Sequence, residues 1–334
     1  MSLIRLDALT IGYRARRGAA TAIQSGLDVS LAAGELTVLL GPNGSGKSTL
    51  IRTISGLQAP LRGTVLLDSV SVHAMAPRAR ARALAVVLTQ QVKPWGLTAR
   101  GLVALGRFPH TPASGTLSET DHRVVEAALD ATGSSVLAER QLAELSDGER
   151  QRVMVARALA QEPRAMILDE VTAFLDLPHR VDIMLMLRRL AHTRGTAMLL
   201  STHDLDLALR TADRIWLLTP GGAFSVGSPE SLVISGALDR VFHHDGVRFD
   251  RQTGGFSLTS ENRSRASVRG DGLHAVWTGR ALERLGYELV SHDAALSVEV
   301  EARPDFAEWV VSRDGRVVRH TSLDDLIATV RPPP

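Results

Sequence analysis

The sequence predicts an α/β fold with a mainly parallel sheet, followed by a small α+β unit. Three observations carry this reading. From residue 36 to 201, short apolar runs that read as buried strands alternate with segments of helical period. Gly41, Gln90, Asp169, Glu170 and His203 all lie just past the ends of such runs, where ligands of parallel sheets collect. A polar, Gly/Ser-rich stretch near 250–269 then separates a second patterned segment. We therefore expect a domain over 1–255, a linker over 256–267 and a second domain over 268–334.

Residues 3–40 read as an N-terminal antiparallel β subdomain of strands and turns, leading into the strand Leu36–Leu40. Gly63–Asp68 reads as a further strand. Pro77–Ala85 reads as an Arg/Ala-rich helix and Ala85–Thr89 as a strand. A helical subdomain follows. Thr98–Leu105 is a helix closed by Gly106, and Ser118-x-x-Asp121 opens another to Thr132 with a capping box. Leu145–Ala160 is a polar turn and a long helix. Arg164–Leu168 and Ala197–Ser201 are strands, with the helix Arg180–His192 between them. In the second unit, Leu273, Trp277, Ala281 and Leu285 share a helical face. Asp314-Gly315 joins two strands as a hairpin, and Ser322 opens a last helix with Leu323, Leu326, Ile327 and Val330 inward.

Gly41-Pro42-Asn43-Gly44-Ser45-Gly46-Lys47-Ser48-Thr49 fits G-x-x-x-x-G-K-[ST], the phosphate-cradling P-loop, between a strand and a helix. The glycines let backbone N–H groups turn toward phosphate oxygens, and the helix start adds its positive dipole end. Lys47 is placed to reach the β- and γ-phosphates, and the Ser48 hydroxyl to bind Mg²⁺. Among 38 basic residues only Lys47 and Lys93 are lysines. A compact ammonium at this one position is what a phosphate cradle takes. Asp169-Glu170 after the apolar strand 165–168 supplies a carboxylate for the metal and a second for a general base.

Composition narrows the classes. The chain has no cysteine, hence no disulfide and no thiolate metal site. Net charge is +2, too little for nucleic acid to be the main partner. No apolar run reaches membrane-spanning length, and the start lacks a secretory h-region. We expect a soluble, cytoplasmic protein. His243-His244 reads as a solvated turn.

Leu145-Ser146-Asp147-Gly148-Glu149-Arg150-Gln151-Arg152 is a polar turn opening a helix. It resembles the LSGGQ signature of ABC-transporter ATPases. With it come the Walker A stretch 41–49, the Walker B stretch 165–170, Gln90 at the Q-loop position, Ala173–Asp176 at the D-loop position and His203 at the H-loop position. Six motifs in the family's order cover residues 1 to about 250. The resemblance implies a P-loop NTPase fold of the ABC ATPase kind, ATP and Mg²⁺ as ligands, and a homodimer that sandwiches nucleotide. It implies that Tyr13 stacks on adenine; on the residues alone Tyr13 also reads as a strand-end aromatic. Gln90, or Gln91 in its place, would sense Mg²⁺ and the membrane partner. Ser146 and Gly148 would bind the γ-phosphate held by the opposite subunit. His203 would contact the γ-phosphate, and Asp176 would link the two sites. Asp147 and Glu149 stand where the commonest signature has Gly and Gln, which puts a carboxylate near incoming phosphates. Val171 stands where a proline is usual.

Gly106-Arg107-Phe108-Pro109-His110 resembles a stretch of importer ATPases for iron–siderophore, haem and cobalamin. It implies an ATP-hydrolysing importer subunit at the cytoplasmic face of the cell membrane. Its partners would be two integral-membrane permease subunits and, indirectly, a periplasmic or lipid-anchored substrate-binding protein. Alternatives are an importer of another metal or small solute and a soluble, non-transport ABC ATPase. Translation-type members usually carry two ATPase domains and repair-type members a long coiled-coil insertion; this chain shows neither.

Overall fold

The computed structural model describes residues 2–14, 20–88, 96–222, 224–242, 247–251, 254–258, 264–303 and 306–331. The chain divides into two compact units, Met1–Val241 and Phe242–Pro334.

The first unit opens with long strands β1 (Ser2–Arg14) and β2 (Ala20–Ala32), then β3 (Leu36–Leu40) and helix α1 (Lys47–Ile54). Next come β4 (Arg62–Leu67), β5 (Val70–Ser71), α2 (Pro77–Ala83) and β6 (Leu84–Val87). The helical segment holds α3 (Ala99–Ala104), α4 (Glu119–Ala131) and α5 (Asp147–Leu159). β7 (Ala165–Asp169), α6 (Leu177–Arg194), β8 (Ala197–Ser201), α7 (Leu205–Thr211) and β9 (Arg214–Leu218) complete the α/β core. β10 (Phe224–Gly227), α8 (Pro229–Ile234) and α9 (Ala237–Phe242) follow.

Two sheets result. The antiparallel one runs β2-β1-β4-β5, and the other runs β10-β9-β3-β8-β7-β6, parallel except at β10. β3, β7 and β8 are near-continuous apolar runs because both faces of a central parallel sheet are covered. Ile4, Leu6 and Ile11 of β1, Leu50, Ile51 and Ile54 of α1, and Leu39, Ile167, Leu199 and Trp216 of the parallel sheet form one core. The loop-to-helix turn at residues 41–47 is thus clamped between two sheets.

The second unit has β11 (Val247–Phe249) paired with β12 (Phe256–Leu258), then β13 (Arg265–Arg269), α10 (Gly272–Arg284) and β14 (Glu288–Leu289). β15 (Leu296–Arg303), β16 (Phe306–Arg313), β17 (Arg316–His320) and α11 (Leu323–Val330) close it, with sheet order β14-β13-β15-β16-β17. The expected linker 256–267 therefore holds β12 and the start of β13. The chain divides earlier than the polar composition suggests, because short strands with Gly/Ser-rich flanks read as linker. The hairpin at Asp314-Gly315 and the α11 face both form as expected.

One local reading is corrected and another gains a different cause. In α10 the buried positions are Ala275, Thr278, Gly279, Ala281 and Leu282, while Leu273 and Trp277 are exposed. Small residues let the helix approach its sheet closely, and Trp277 instead lies under the Arg280 guanidinium at 5.0 Å. α3 ends just before Gly106 as expected, although Gly106 does not take a left-handed φ. It sits in a 3₁₀ turn, Leu105–Arg107, where a Cβ would fall 2.2 Å from the Arg157 carbonyl oxygen.

That close approach is bolted by Arg107, which is buried. Its Nε donates to Asp121 Oδ1 (2.8 Å), and Nη1 donates to Ala160 O and to Glu162 Oε2, both at 2.7 Å. Asp121 also closes the capping box of α4 by accepting from the Ser118 backbone N–H and hydroxyl. Those Ser118 bonds first, then Arg107, hold its carboxyl well below the usual carboxylate range. A depressed folded pKa contributes stability above the unfolded value of about 3.9 and loses it as pH falls toward the folded one. Asp121→Asn should cost about 3 kcal/mol at neutral pH in a denaturant titration. The gap between variant and wild type should narrow below about pH 4.

Candidate functional site

Sheet register builds the site. β3 lies between β9 and β8, and β7 is the next strand beyond β8. Leu39 pairs with Ser201, and Ser201 in turn with Asp169. The turns after β3, β7 and β8 therefore leave the sheet side by side, carrying Gly41–Lys47, Asp169-Glu170 and Thr202-His203.

In the first turn Gly46 is left-handed (φ 100°), and a Cβ there would meet Ile23 at 2.8 Å. Only glycine fits both constraints. Lys47 is buried, and its Nζ donates to Gly41 O (2.7 Å) and Pro42 O (3.1 Å). Burial pushes the ammonium pKa down, opposed by the negative charges of Glu170 and Asp169. Ser48 is exposed at the start of α1. Asn43 and Gly44 are exposed, and Pro42 is half-buried. Thr49 is buried and bonds, Oγ1 to hydroxyl, with Tyr13 at 2.9 Å. Tyr13 is thus tied to the first turn of α1 while 54% of its surface stays exposed, which leaves a ring face for stacking.

In the second turn Asp169 Oδ1 accepts from Ser201 Oγ at 2.6 Å. Glu170 takes a left-handed φ of 51°, and its N–H donates to Ser201 Oγ (3.0 Å) and Ser201 O (3.2 Å). His203 Nε2–H donates to Glu170 Oε1 at 2.7 Å. Strained backbone of this kind persists where surrounding bonds fix it.

Ser146 caps α5: its Oγ accepts from the Glu149 N–H, and Glu149 Oε2 accepts from the Ser146 N–H at 2.8 Å. The Ser146 bonds hold the Glu149 carboxyl low. Asp147 accepts from Arg150 Nη1 at 2.8 Å, so its charge is matched within the same turn. Asp176 caps α6, and hydrogen bonds from His179 hold its carboxyl low. Val171 is buried.

The structure thus brings together Tyr13, residues 41–49, Asp169, Glu170 and His203. Ser146 and Gly148 stand at the start of α5 and Asp176 at the start of α6. Gln90 lies outside the described residues, as do Gln91, His243 and His244.

Two supporting residues escaped the sequence reading. Ser201 ties Asp169 to Glu170, but a serine ending an apolar strand carries no distinctive signal. Gln24 of β2 is buried and donates to Ser45 O (3.0 Å) and Thr219 O (2.8 Å), bracing the Gly-rich loop from a distant strand. The capping box Ser146-x-x-Glu149 was readable from its spacing, and it gives the signature's Glu149 a structural task.

A Gly-rich loop with a buried lysine, facing two carboxylates on a parallel sheet, defines a nucleoside-triphosphate-binding protein. Comparison with known proteins places it more narrowly. The ABC transporter family model matches residues 25–173, and the iron ABC transporter C-terminal domain model matches residues 263–331. The achromobactin transport ATP-binding protein of Dickeya dadantii is 38% identical over 245 residues, 73% of this chain and 89% of the relative. The cobalamin import ATP-binding protein of Halobacterium salinarum is 35% identical over 315 residues, 93% of this chain and 79% of the relative. A dimeric ATP-binding cassette in a post-hydrolysis state with ADP and Pi superimposes with a TM-score of 0.59 at 26% identity, covering 68% of this chain and 99% of that one. The chain belongs to the ATP-binding subunits of ABC transporters, and it is an ATPase of that type. Among the described residues no helix is long and apolar enough to cross a membrane.

Ser201→Ala should leave nucleotide affinity intact while slowing ATP turnover about tenfold, because Asp169 and Glu170 lose their shared tie. Steady-state hydrolysis beside nucleotide titration checks this. Equal loss in both would show that Ser201 serves the whole cradle.

Proposed function

We propose that this chain hydrolyses Mg²⁺–ATP as a homodimer, driving import of an iron chelate, haem or cobalamin through two membrane-spanning permease subunits. The observation that supports it most directly is the Glu170–His203 pair at 2.7 Å, beside Asp169 and the Lys47 loop. A bare nucleotide-binding regulator has no need of that pair.

Each residue has a task in this reading. Lys47 exchanges its carbonyl partners for β- and γ-phosphate oxygens, joined by N–H groups of residues 43–49. Tyr13 stacks on adenine. Glu170 takes the proton of the attacking water, and His203 holds that carboxylate and the γ-phosphate. The Ser48 hydroxyl and the Asp169 carboxylate are hard oxygen donors that suit Mg²⁺, with Gln90 as a third contributor. Bound there, Mg²⁺ would neutralise charge that builds on the phosphates. Ser146 and the Gly148 N–H close on the γ-phosphate of the partner's nucleotide, and Asp176 connects the two sites. The Arg150 partner of Asp147 limits the repulsion that a carboxylate there would bring to that closure.

The membrane partner would dock on the 102–110 segment. Arg107 and Gly106 fix this segment to α5, while Leu105 and Phe108 stay exposed. An indirect partner would be a periplasmic or lipid-anchored binding protein, and the subunit would sit peripherally at the cytoplasmic face. Iron chelates lead as cargo, supported by the iron-transporter C-terminal match at 263–331. Cobalamin is the second reading, supported by an alignment spanning 93% of the chain. The C-terminal unit carries more acidic than basic residues and no catalytic constellation. Its role would be a dimer clamp or a sensor of ligand.

Glu170→Gln should lower hydrolysis by ~10²–10⁴-fold and leave an ATP-dependent dimer in size-exclusion chromatography. Hydrolysis at the wild-type rate would refute the assignment. Cells lacking the gene should lose uptake of labelled ferric siderophore, haem or cobalamin. Unchanged uptake of all three, with loss of an unrelated solute, would overturn the cargo and spare the ATPase mechanism.

A further inference from the structure

We propose that His179 is a positioning residue that locks the signature turn and the 173–176 turn of one protomer together. Both would then meet the partner's nucleotide in register. This rests on the reading above, in which Gly148 and Asp176 act across the dimer.

His179 lies in the first turn of α6. Its Nδ1–H donates to Asp176 Oδ1, the same oxygen that accepts the His179 backbone N–H at 3.2 Å. One carboxylate oxygen thus caps the helix and fixes the imidazole orientation. The ring then lies against the signature. A Cβ built on Gly148 would fall 2.9 Å from Cδ2 and 3.3 Å from Cγ of His179, so the Gly148 backbone is in contact with the imidazole. The ring is therefore a spacer between the turn opening α5 and the turn opening α6.

Arg180 anchors the second turn from the other side. Its Nε donates to Leu175 O at 2.6 Å and its guanidinium faces Asp204 at 3.6 Å, next to His203. The 173–176 turn is thus tied to the β8 turn through Arg180 and to the signature through His179. Any rotation of the α5 start against α6 must break the imidazole–carboxylate bond or lift the ring from Gly148. Among the described residues the bonds of His179 run to Asp176 and not to the Lys47 cradle, so the residue should act on closure and turnover and not on nucleotide capture.

Side-chain mimicry makes the test specific. An Asn amide can occupy the place of Nδ1 and keep the bond to Asp176. A Gln amide reaches instead toward the place of Nε2. In the full chain, His179→Ala should lower kcat about tenfold, the scale of a modest misplacement, with the affinity of the monomer for ATP unchanged. His179→Asn should regain most of the rate and His179→Gln little. In the Glu170→Gln background, His179→Ala should raise the ATP concentration needed for dimer formation about tenfold. Wild-type kcat in His179→Ala overturns the proposal. So does equal loss in all three variants with falling ATP affinity or Tm, which would mark a general folding role. A Glu170→Gln dimer insensitive to His179→Ala overturns this proposal alone. A Glu170→Gln chain that never dimerises overturns it together with the reading beneath it.

Discussion

A buried ammonium organises the first unit. Lys47 is out of water, held by the carbonyls of Gly41 and Pro42, with its pKa pushed down by burial and supported by two acidic neighbours. Such a charge is costly without partners, and the loop can supply them only if its backbone doubles back on itself. Glycines at 41, 44 and 46 make that path possible, and the flanking sheets hold it. β1 and α1 pack into one core with the parallel strands, so the loop has no freedom to relax. A phosphate that takes over Lys47 from two carbonyls meets a cradle already formed, and little ordering remains to oppose binding.

The chemistry follows from strand order more than from any single side chain. Placing β3, β8 and β7 side by side brings three turns, distant in sequence, to one edge. Ser201 is where this becomes concrete. It pairs with Leu39 on one side and Asp169 on the other, and its hydroxyl joins Asp169 to the Glu170 backbone. The helical segment is built differently, around a buried Arg107 that fastens the 105–111 turn to the far end of the signature helix. His110 adds a bond to Gln161 O at 2.9 Å. Movement imposed at that turn would reach Ser146 along a single helix, about 20 Å at 1.5 Å per residue.

Much of this was legible from residue order. The loop at 41–49, the acidic pair at 169–170 and the capping box at Ser118 follow from local rules that the sequence satisfies outright. The strand Ala197–Ser201 forms with the bounds its apolar run suggests. What escaped depends on contacts between distant segments. Gly106 looks like a helix stop, yet its reason is the Arg157 carbonyl on another helix. In α10 the helical period is compatible with a face through Leu273 and Trp277, whereas the sheet takes the face of Ala275, Thr278, Gly279 and Leu282. Gln24 and Ser201 act through hydrogen bonds across the fold, for which a lone Gln or Ser gives no periodic signal. The unit boundary escaped because β11 and β12 are three residues each, too short to show a period.

The most direct test is titration of the full chain and of Lys47→Ala with ATP, followed by calorimetry. If the ammonium is the anchor of the cradle, wild type binds and the variant loses affinity by about a hundredfold, the ~3 kcal/mol that one charge-assisted contact to phosphate is worth. Its Tm without nucleotide should fall modestly, because the carbonyls of Gly41 and Pro42 lose their donor. Equal affinity in the two proteins would contradict the account, since the loop at 41–49 would then be a structural turn and the nucleotide would bind elsewhere.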